Sequence, residues 1–249
     1  MSADSVVLTG RPGGTTHRAV EVLSELPAEL RLIGGIAVLC RVGVPHRATV
    51  DLDAVTRGLV DQHERLSHLA LTAAGGGQYR FAGEMELDVI DVAPDDAATL
   101  LDTLAASGPL TDLELNVVAH TWAHDAASPL DISVVDDERG ERLSIAPARM
   151  VASPAGLVVM KATTVGLRAS SKPEKRASDL YDIGRLLVTA RDLPNAFAAI
   201  PTALADVVRD RLRGWFVDDA GRDRTYREVR RFDEPRLDLD GAADAVERL

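Results

Sequence analysis

The stretch Arg31–Asp53, RLIGGIAVLCRVGVPHRATVDLD, decides the fold of the chain around it. Its first three residues, Arg31–Ile33, are the end of an apolar strand that runs into Gly34 and Gly35. The apolar residues that follow predict a short helix, which we expect to end near Gly43. Because glycine lets a ligand approach the backbone closely, the turn from strand to helix is a candidate binding point.

The second half of this stretch predicts a strand that carries two acids. Residues alternate from Thr49 to Val55, so Asp51 and Asp53 project from the same face of the strand. Carboxylate oxygens are the ligands that Mg²⁺ prefers, usually together with substrate phosphates. Two carboxylates beside a glycine turn therefore predict a site for magnesium and a nucleotide phosphate.

A third acid is predicted by the segment GEMELDVIDVA, in which Met85–Val92 forms a strand. Glu86 and Asp88 share one face of that strand, and Asp88 sits centrally in an apolar run, where a lone ionised acid is costly to bury. If the strand pairs beside the preceding acidic strand, Asp88 joins Asp51 and Asp53 around two metal ions, about 4 Å apart. The alternative is that Glu86 and Asp88 lie on a wet face and bind nothing.

Composition restricts the class of protein. The 249 residues are 46% hydrophobic and 27% charged, with a net charge of −11, which argues against wholesale wrapping of nucleic acid. The chain has two basic clusters, residues 168–176 and 209–231. Each is either a local surface that contacts RNA or a solvated helix face or loop. No membrane span or secretory signal is predicted, and the single cysteine, Cys40, lies in an apolar helix as a buried small hydrophobe. We expect a cytoplasmic protein.

The order of elements predicts an α+β chain with two parts. Residues 1–150 read as a mixed sheet with helices, and residues 151–249 as a mainly helical domain that completes the active-site cleft. The expected elements include a helix over 59–74 that stops at three glycines, hairpins over 79–92 and 130–145, a helix beginning at Pro94, and a helix over 197–216.

The helical part carries a second polar group. Lys161 interrupts an apolar helix, and either its ammonium reaches the edge of the helix or it faces a phosphate. Downstream, Arg176, Asp179 and Asp182 recur at helical spacing, so they can share part of a face. A structural salt bridge between one of the cations and one of these acids is the alternative explanation.

These residues together resemble the AbiEii-type nucleotidyltransferases, toxin components of abortive-infection and MenA-type toxin–antitoxin systems. The features that carry the resemblance are Gly34-Gly35, the run from Arg47 through Thr49 to Asp53, Lys161, and residues 178–182. One departure is Ser178, which stands where the family usually has an arginine, before Asp179.

The resemblance implies a polymerase-beta-like nucleotidyltransferase core followed by the helical part. It implies that Asp51 and Asp53 act in catalysis and bind Mg²⁺, with Asp88 as a third metal ligand. It places Lys161 and Asp179 in catalysis, and assigns binding of a nucleoside triphosphate to a further set: Gly34, Gly35, Arg47, Thr49, Lys161 and Asp182. It also implies transfer of a nucleotide to an acceptor, with tRNA as the expected one, and control by a cognate antitoxin.

Two other functions stay open at this stage. One is nucleotide transfer to a small molecule such as an aminoglycoside antibiotic, and the other is a non-catalytic protein of the same fold that binds nucleotides or a partner. Zinc binding by His120 and His124, spaced i and i+4, is disfavoured because neither an HExxH pattern nor a cysteine partner accompanies them.

Overall fold

In the part of the chain that the structure describes, the strand with Asp51 and Asp53 lies within an eight-stranded mixed sheet. The computed structural model describes residues 4–43, 51–168, 172–190, 192–232 and 235–249. Its strands in chain order are β1 (Asp4–Gly10), β2 (Arg31–Ile33), β3 (Asp51–Thr56), β4 (Thr72–Gly75), β5 (Gln78–Arg80), β6 (Glu86–Asp91), β7 (Ser128–Asp136) and β8 (Arg142–Val151). Across the sheet the order is β1-β7-β8-β2-β3-β6-β5-β4.

The described part of the chain also forms eleven α-helices, and none of them is both long and apolar enough to cross a membrane. In chain order they are α1 (Thr15–Glu25), α2 (Gly34–Val42), α3 (Leu59–Leu69), α4 (Ala97–Ala105), α5 (Asp112–Asp125), α6 (Pro154–Leu167), α7 (Pro173–Thr189), α8 (Leu193–Ala198), α9 (Thr202–Phe216), α10 (Asp219–Val229) and α11 (Leu239–Glu247). The α+β class expected from the sequence is therefore confirmed.

Parallel and antiparallel pairs alternate around the acidic strand. β3 runs antiparallel to β2 and parallel to β6, and β2 runs parallel to β8. Between β6 and β5, and between β7 and β8, the pairing is antiparallel, as the two predicted hairpins require. Leu130, Ile132 and Val134 of β7 are buried and alternate with more exposed residues, which is the period expected of a strand with one face on the core.

The chain divides into two compact units. The sheet unit contains the described residues of 4–94 and 126–153, and the helical unit contains 95–125 together with the described residues from 154 onward. One boundary between the units lies at 153–154, close to the residue 150 at which the sequence analysis divided the chain. Helices α4 and α5, which the sequence analysis counted with the sheet, cluster instead with the helices of the second part.

The helix predicted over residues 59–74 is wrong in its last five residues. Helix α3 ends at Leu69, and residues 72–75 form β4, which pairs antiparallel with β5. Gly75, Gly76 and Gly77 all have positive φ angles, so they make the tight turn between the two strands rather than a loose connection after a helix. The apolar pattern of residues 70–74 did not distinguish the two structures.

Two other predicted helices differ at their ends. The helix expected from Pro94 begins at Ala97, because the carboxylate of Asp96 accepts hydrogen bonds from the backbone N–H groups of Ala98 and Thr99. The helix predicted over 197–216 is two helices, α8 and α9, with Pro201 as the residue that precedes the second. Proline lacks the N–H that a continuous helix would need at that point.

Candidate active site

The glycine turn and the second acid of β3 are in direct contact. Gly34 is buried, begins α2 and has a φ angle of +69°, a conformation that favours glycine. A Cβ atom added to Gly34 would lie 2.6 Å from Cγ and 2.8 Å from Cβ of Asp53, closer than such atoms pack. The absence of a side chain at Gly34 is therefore what lets the Asp53 carboxylate lie against the start of α2.

Four acids occupy one face of the paired strands β3 and β6. Asp51 lies opposite Glu86, and Asp53 lies opposite Asp88, in a parallel register. Residues opposite each other in a sheet project to the same side, so these four carboxylates share one face. The other face carries Leu52, Ala54, Leu87 and Val89, which are all at most 4% exposed. The condition set for Asp88 to join Asp51 and Asp53, that the two acidic strands pair, is met.

Of the two environments left open for Asp88, the structure has the solvent-exposed one. Asp88 is exposed because its neighbours Leu87 and Val89 take the core face of the same strand. The carboxylate of Glu86 beside it accepts a 2.6 Å hydrogen bond from Arg80. Asp88 and Glu86 also border a cavity of about 150 Å³, which Gln78 and Thr72 line from the neighbouring strands.

The oxygen donors of this face suit a hard cation such as Mg²⁺, which binds one or two protein carboxylates and fills its remaining positions with water and phosphate oxygens. Asp51 is exposed and Asp53 is half-buried, so both carboxylates are near solvent, and each takes part in further interactions. Within residues 4–43, 51–168, 172–190, 192–232 and 235–249, no three acid, histidine or cysteine side chains are grouped as a metal site. A ligand role for Asp51, Asp53 and Asp88 stays a prediction.

Two residues of the predicted nucleotide site, Arg47 and Thr49, lie outside the described residues. Gly35 is buried in the first turn of α2, where backbone N–H groups have no partner within the helix and the helix dipole favours an anion. Gly34 and Gly35 thus lie where phosphate oxygens bind helix termini in other proteins.

Arg41 holds this helix against the sheet. Its guanidinium donates hydrogen bonds to the carbonyl oxygens of Val151 at 2.6 Å and Ala152 at 3.0 Å. It also donates to the hydroxyl of Ser128 at 2.7 Å and to the Ser128 carbonyl at 3.2 Å. These four bonds join the C-terminal turn of α2 to the end of β8 and the start of β7, which fixes the helix whose other end meets Asp53.

In the helical unit, the structure brings Lys161, Asp179 and Asp182 together. The ammonium of Lys161 lies 2.8 Å from Oδ1 of Asp179 and 2.9 Å from Oδ2 of Asp182. The side chain of Lys161 is 5% exposed and that of Asp182 is 0% exposed. The cluster is a buried ion-pair group between α6 and α7, the arrangement that the sequence analysis kept as the structural alternative.

Sequence reasoning missed Arg168, just beyond the end of α6. Its guanidinium donates to Oδ2 of Asp179, so the two oxygens of this carboxylate are held by two different cations. Arg176, the other candidate, instead pairs with Glu228 of α10. Ser178 is half-buried, and its hydroxyl donates to the carbonyl of Lys175. The arginine that the resemblance expects before Asp179 is thus absent in sequence, while a guanidinium reaches Asp179 from Arg168, just after α6.

His120 of α5 belongs to the same neighbourhood. Its Nδ1 lies 2.7 Å from the carbonyl oxygen of Asn116, and because a carbonyl can only accept, Nδ1 carries a proton. Burial lowers the pKa of His120 from 6.5, and the nearby charges of Arg168 and Lys161 lower it further, against opposing effects of Asn116 and Asp179. His120 is therefore neutral at pH 7, with Nε2 as an acceptor. His124 makes a separate contact with Asp125.

A comparison with protein families gives the class of protein. Residues 18–249 match the family described as nucleotidyl transferase AbiEii toxin, type IV toxin–antitoxin system. The chain belongs to this family, because the match covers nearly its whole length. No curated protein matches the chain.

Proposed function

We propose that this protein is a magnesium-dependent nucleotidyltransferase with a polymerase-beta-like core, and that it acts as the toxin of a toxin–antitoxin pair. It would transfer a nucleotide from a nucleoside triphosphate to an acceptor, with tRNA as the acceptor and a cognate antitoxin as its partner. Family membership supports the activity class. The observation that carries the proposal is the Asp53 carboxylate packed against Gly34 at the start of α2, on the sheet face that also bears Asp51 and Asp88.

The proposed reaction is attack of an acceptor hydroxyl on the α-phosphate. The acceptor hydroxyl loses its proton to solvent as its oxygen forms a bond to the α-phosphorus. The bond from the α-phosphorus to the bridging oxygen breaks, and pyrophosphate leaves with that oxygen. Magnesium held by Asp51 and Asp53 would supply charge neutralisation at the phosphate oxygens. The chain itself would orient the phosphates with the N–H groups of Gly34 and Gly35, and Asp88 would serve as the third acid.

For the helical unit, the geometry favours a positioning role for Lys161. Its ammonium is bonded to two carboxylates and its side chain is almost fully buried, so it holds Asp179 and Asp182 in place. Direct contact of Lys161 with leaving phosphates, which the resemblance implies, would compete with both of these ion pairs. We propose that Asp179 contributes to the activity indirectly, by holding the two cations to which it is bonded, Lys161 and Arg168.

The activity is tested by incubating the protein with each of four α-labelled nucleoside triphosphates, Mg²⁺ and total tRNA. We expect the wild type to label RNA with at least one nucleotide, and Asp51→Asn and Asp53→Asn each to lose the activity by about 100-fold or more while folding normally. Asp137→Asn is the matched control, because this half-exposed acid lies in the β7–β8 turn and pairs only with Arg11 among the described residues.

The outcomes separate the rival functions. Label on an aminoglycoside but not on RNA would favour the antibiotic-modifying alternative. Magnesium-dependent binding of a nucleoside triphosphate with no transfer to any acceptor would favour the non-catalytic one. Growth arrest on expression that Asp51→Ala relieves would support the toxin assignment, and arrest that persists in Asp51→Ala would count against it.

A further inference from the structure

We propose that Arg168 is the phosphate-contacting cation of the helical unit, with Asp179 and Lys161 as the residues that position it. This inference rests on the proposed nucleotidyltransferase function, which it extends by one binding residue. Its starting point is that two cations share the carboxylate of Asp179 but differ strongly in exposure. The side chain of Arg168 is 33% exposed, whereas that of Lys161 is 5% exposed.

The ion pairs of the cluster indicate which cation can bind a further anion. The ammonium of Lys161 is bonded to two acids, and both of these acids are almost fully buried. Arg168 uses Nη1 for Asp179 and has no second side-chain partner in the described parts of the chain. A guanidinium has five N–H donors in a rigid planar fork, so most of its donors remain for another anion. Phosphate matches this fork through two parallel hydrogen bonds.

Asp179 fixes the direction of this guanidinium. One carboxylate oxygen accepts from Lys161 and the other from Arg168, so the carboxylate cannot rotate without breaking one of the bonds. A long, flexible side chain is thereby held before a ligand arrives, which lowers the entropy lost on binding. The neighbouring His120 is neutral, so it neither repels the Arg168 guanidinium nor competes with a phosphate for it.

The ligand class is therefore a phosphate group, which could belong either to a nucleoside triphosphate or to the backbone of an RNA acceptor. Calorimetric titration of the protein in Mg²⁺ separates the two, with inorganic triphosphate in one arm and a short single-stranded RNA bearing a 5′-hydroxyl in the other. The variants are Arg168→Ala, Arg168→Lys and Arg222→Ala. Arg222 is the matched control because its side chain is 34% exposed and it also pairs with one aspartate, Asp240 of α11.

We expect Arg168→Ala to weaken binding by roughly 10- to 100-fold in at least one arm, the range for a lost hydrogen bond to a charged group. Arg168→Lys should restore part of the loss, since it keeps the charge but not the fork. Arg222→Ala should bind like the wild type, and the Tm of Arg168→Ala should stay close to that of Arg222→Ala. The arm that loses affinity identifies the source of the phosphate.

Two results would overturn the inference: unchanged affinity of Arg168→Ala in both arms, or no binding of either probe by the wild type. The transfer assay distinguishes failure of the proposed function from failure of the Arg168 inference. A wild type that binds triphosphate in an Arg168-dependent manner but transfers no nucleotide would leave the Arg168 contact in place and remove the catalytic assignment.

Discussion

Replacement of Gly34 by alanine tests the contact on which the sheet site is built. Alanine at a φ angle of +69° costs roughly 1–2 kcal/mol through backbone strain alone. The new methyl group would also meet Cγ and Cβ of Asp53 at 2.6 and 2.8 Å, in a buried position. Overpacking of this kind adds about 1–3 kcal/mol when the neighbours cannot move away. We expect Gly34→Ala to lower the free energy of unfolding by roughly 2–5 kcal/mol.

Gly140→Ala is the matched control for this substitution. Gly140 has a φ angle of +68°, almost that of Gly34, but a Cβ atom there would have no neighbour within 4 Å. It therefore carries the backbone strain without the contact. The difference between the two variants in urea denaturation should be about 1–3 kcal/mol, and only Gly34→Ala should lose nucleotide transfer.

Equal stability loss in Gly34→Ala and Gly140→Ala, together with full activity of Gly34→Ala, would refute the reasoning. It would mean that the Asp53 carboxylate does not need its place against the start of α2. If Asp53 instead moves to relieve the clash, Gly34→Ala should be nearly as stable as Gly140→Ala but should lose activity.

Three further outcomes follow from the buried groups. Lys161→Met should lower the free energy of unfolding by about 3–5 kcal/mol in chemical denaturation, because it removes the cation that buried Asp179 and Asp182 share; a loss below that of a surface lysine substitution would contradict the ion-pair description. Burial raises the pKa of Cys40 to about 12, so iodoacetamide at pH 8 should label it only after unfolding, and rapid labelling of the native protein would show that the thiol is accessible. The pKa of His120 is lowered from 6.5 in the folded protein, so its contribution to stability is complete above pH 6.5 and falls as the pH drops below that value. The difference in unfolding free energy between wild type and His120→Asn, measured from pH 8 to pH 5, should therefore shrink toward acid. A difference that stays constant would contradict this.

The local features of the sheet site were predictable from the sequence. A glycine pair after an apolar strand, and acids at i and i+2 of the next strand, depend only on backbone geometry and alternation. The pairing of Asp53 with Asp88 could be stated only as a condition, because strand neighbours are chosen by the whole sheet. Whether Asp88 is buried or exposed was left open, since an apolar strand with one wet face looks similar in sequence to a strand buried on both.

Arg168 shows what the sequence could not supply. It lies eleven residues before Asp179, outside the spacing at which helical neighbours meet. It reaches the carboxylate only because α6 and α7 pack together. A partial signal existed in the basic run that begins at Arg168, but nothing in that run distinguished the residue that contacts Asp179 from the residues that do not. Arg176 shows the converse, since helical spacing pointed it toward Asp179 and packing paired it with Glu228.

The most direct test of the account is to locate a divalent ion relative to Asp51 and Asp53. Crystals grown with Mn²⁺ and a non-hydrolysable nucleoside triphosphate would give an anomalous signal at the ion. We expect a peak about 2.1 Å from carboxylate oxygens of both residues, with phosphate oxygens of the nucleotide completing the coordination. A bound nucleotide whose ion is held by other residues, or a nucleotide bound away from the start of α2, would contradict it.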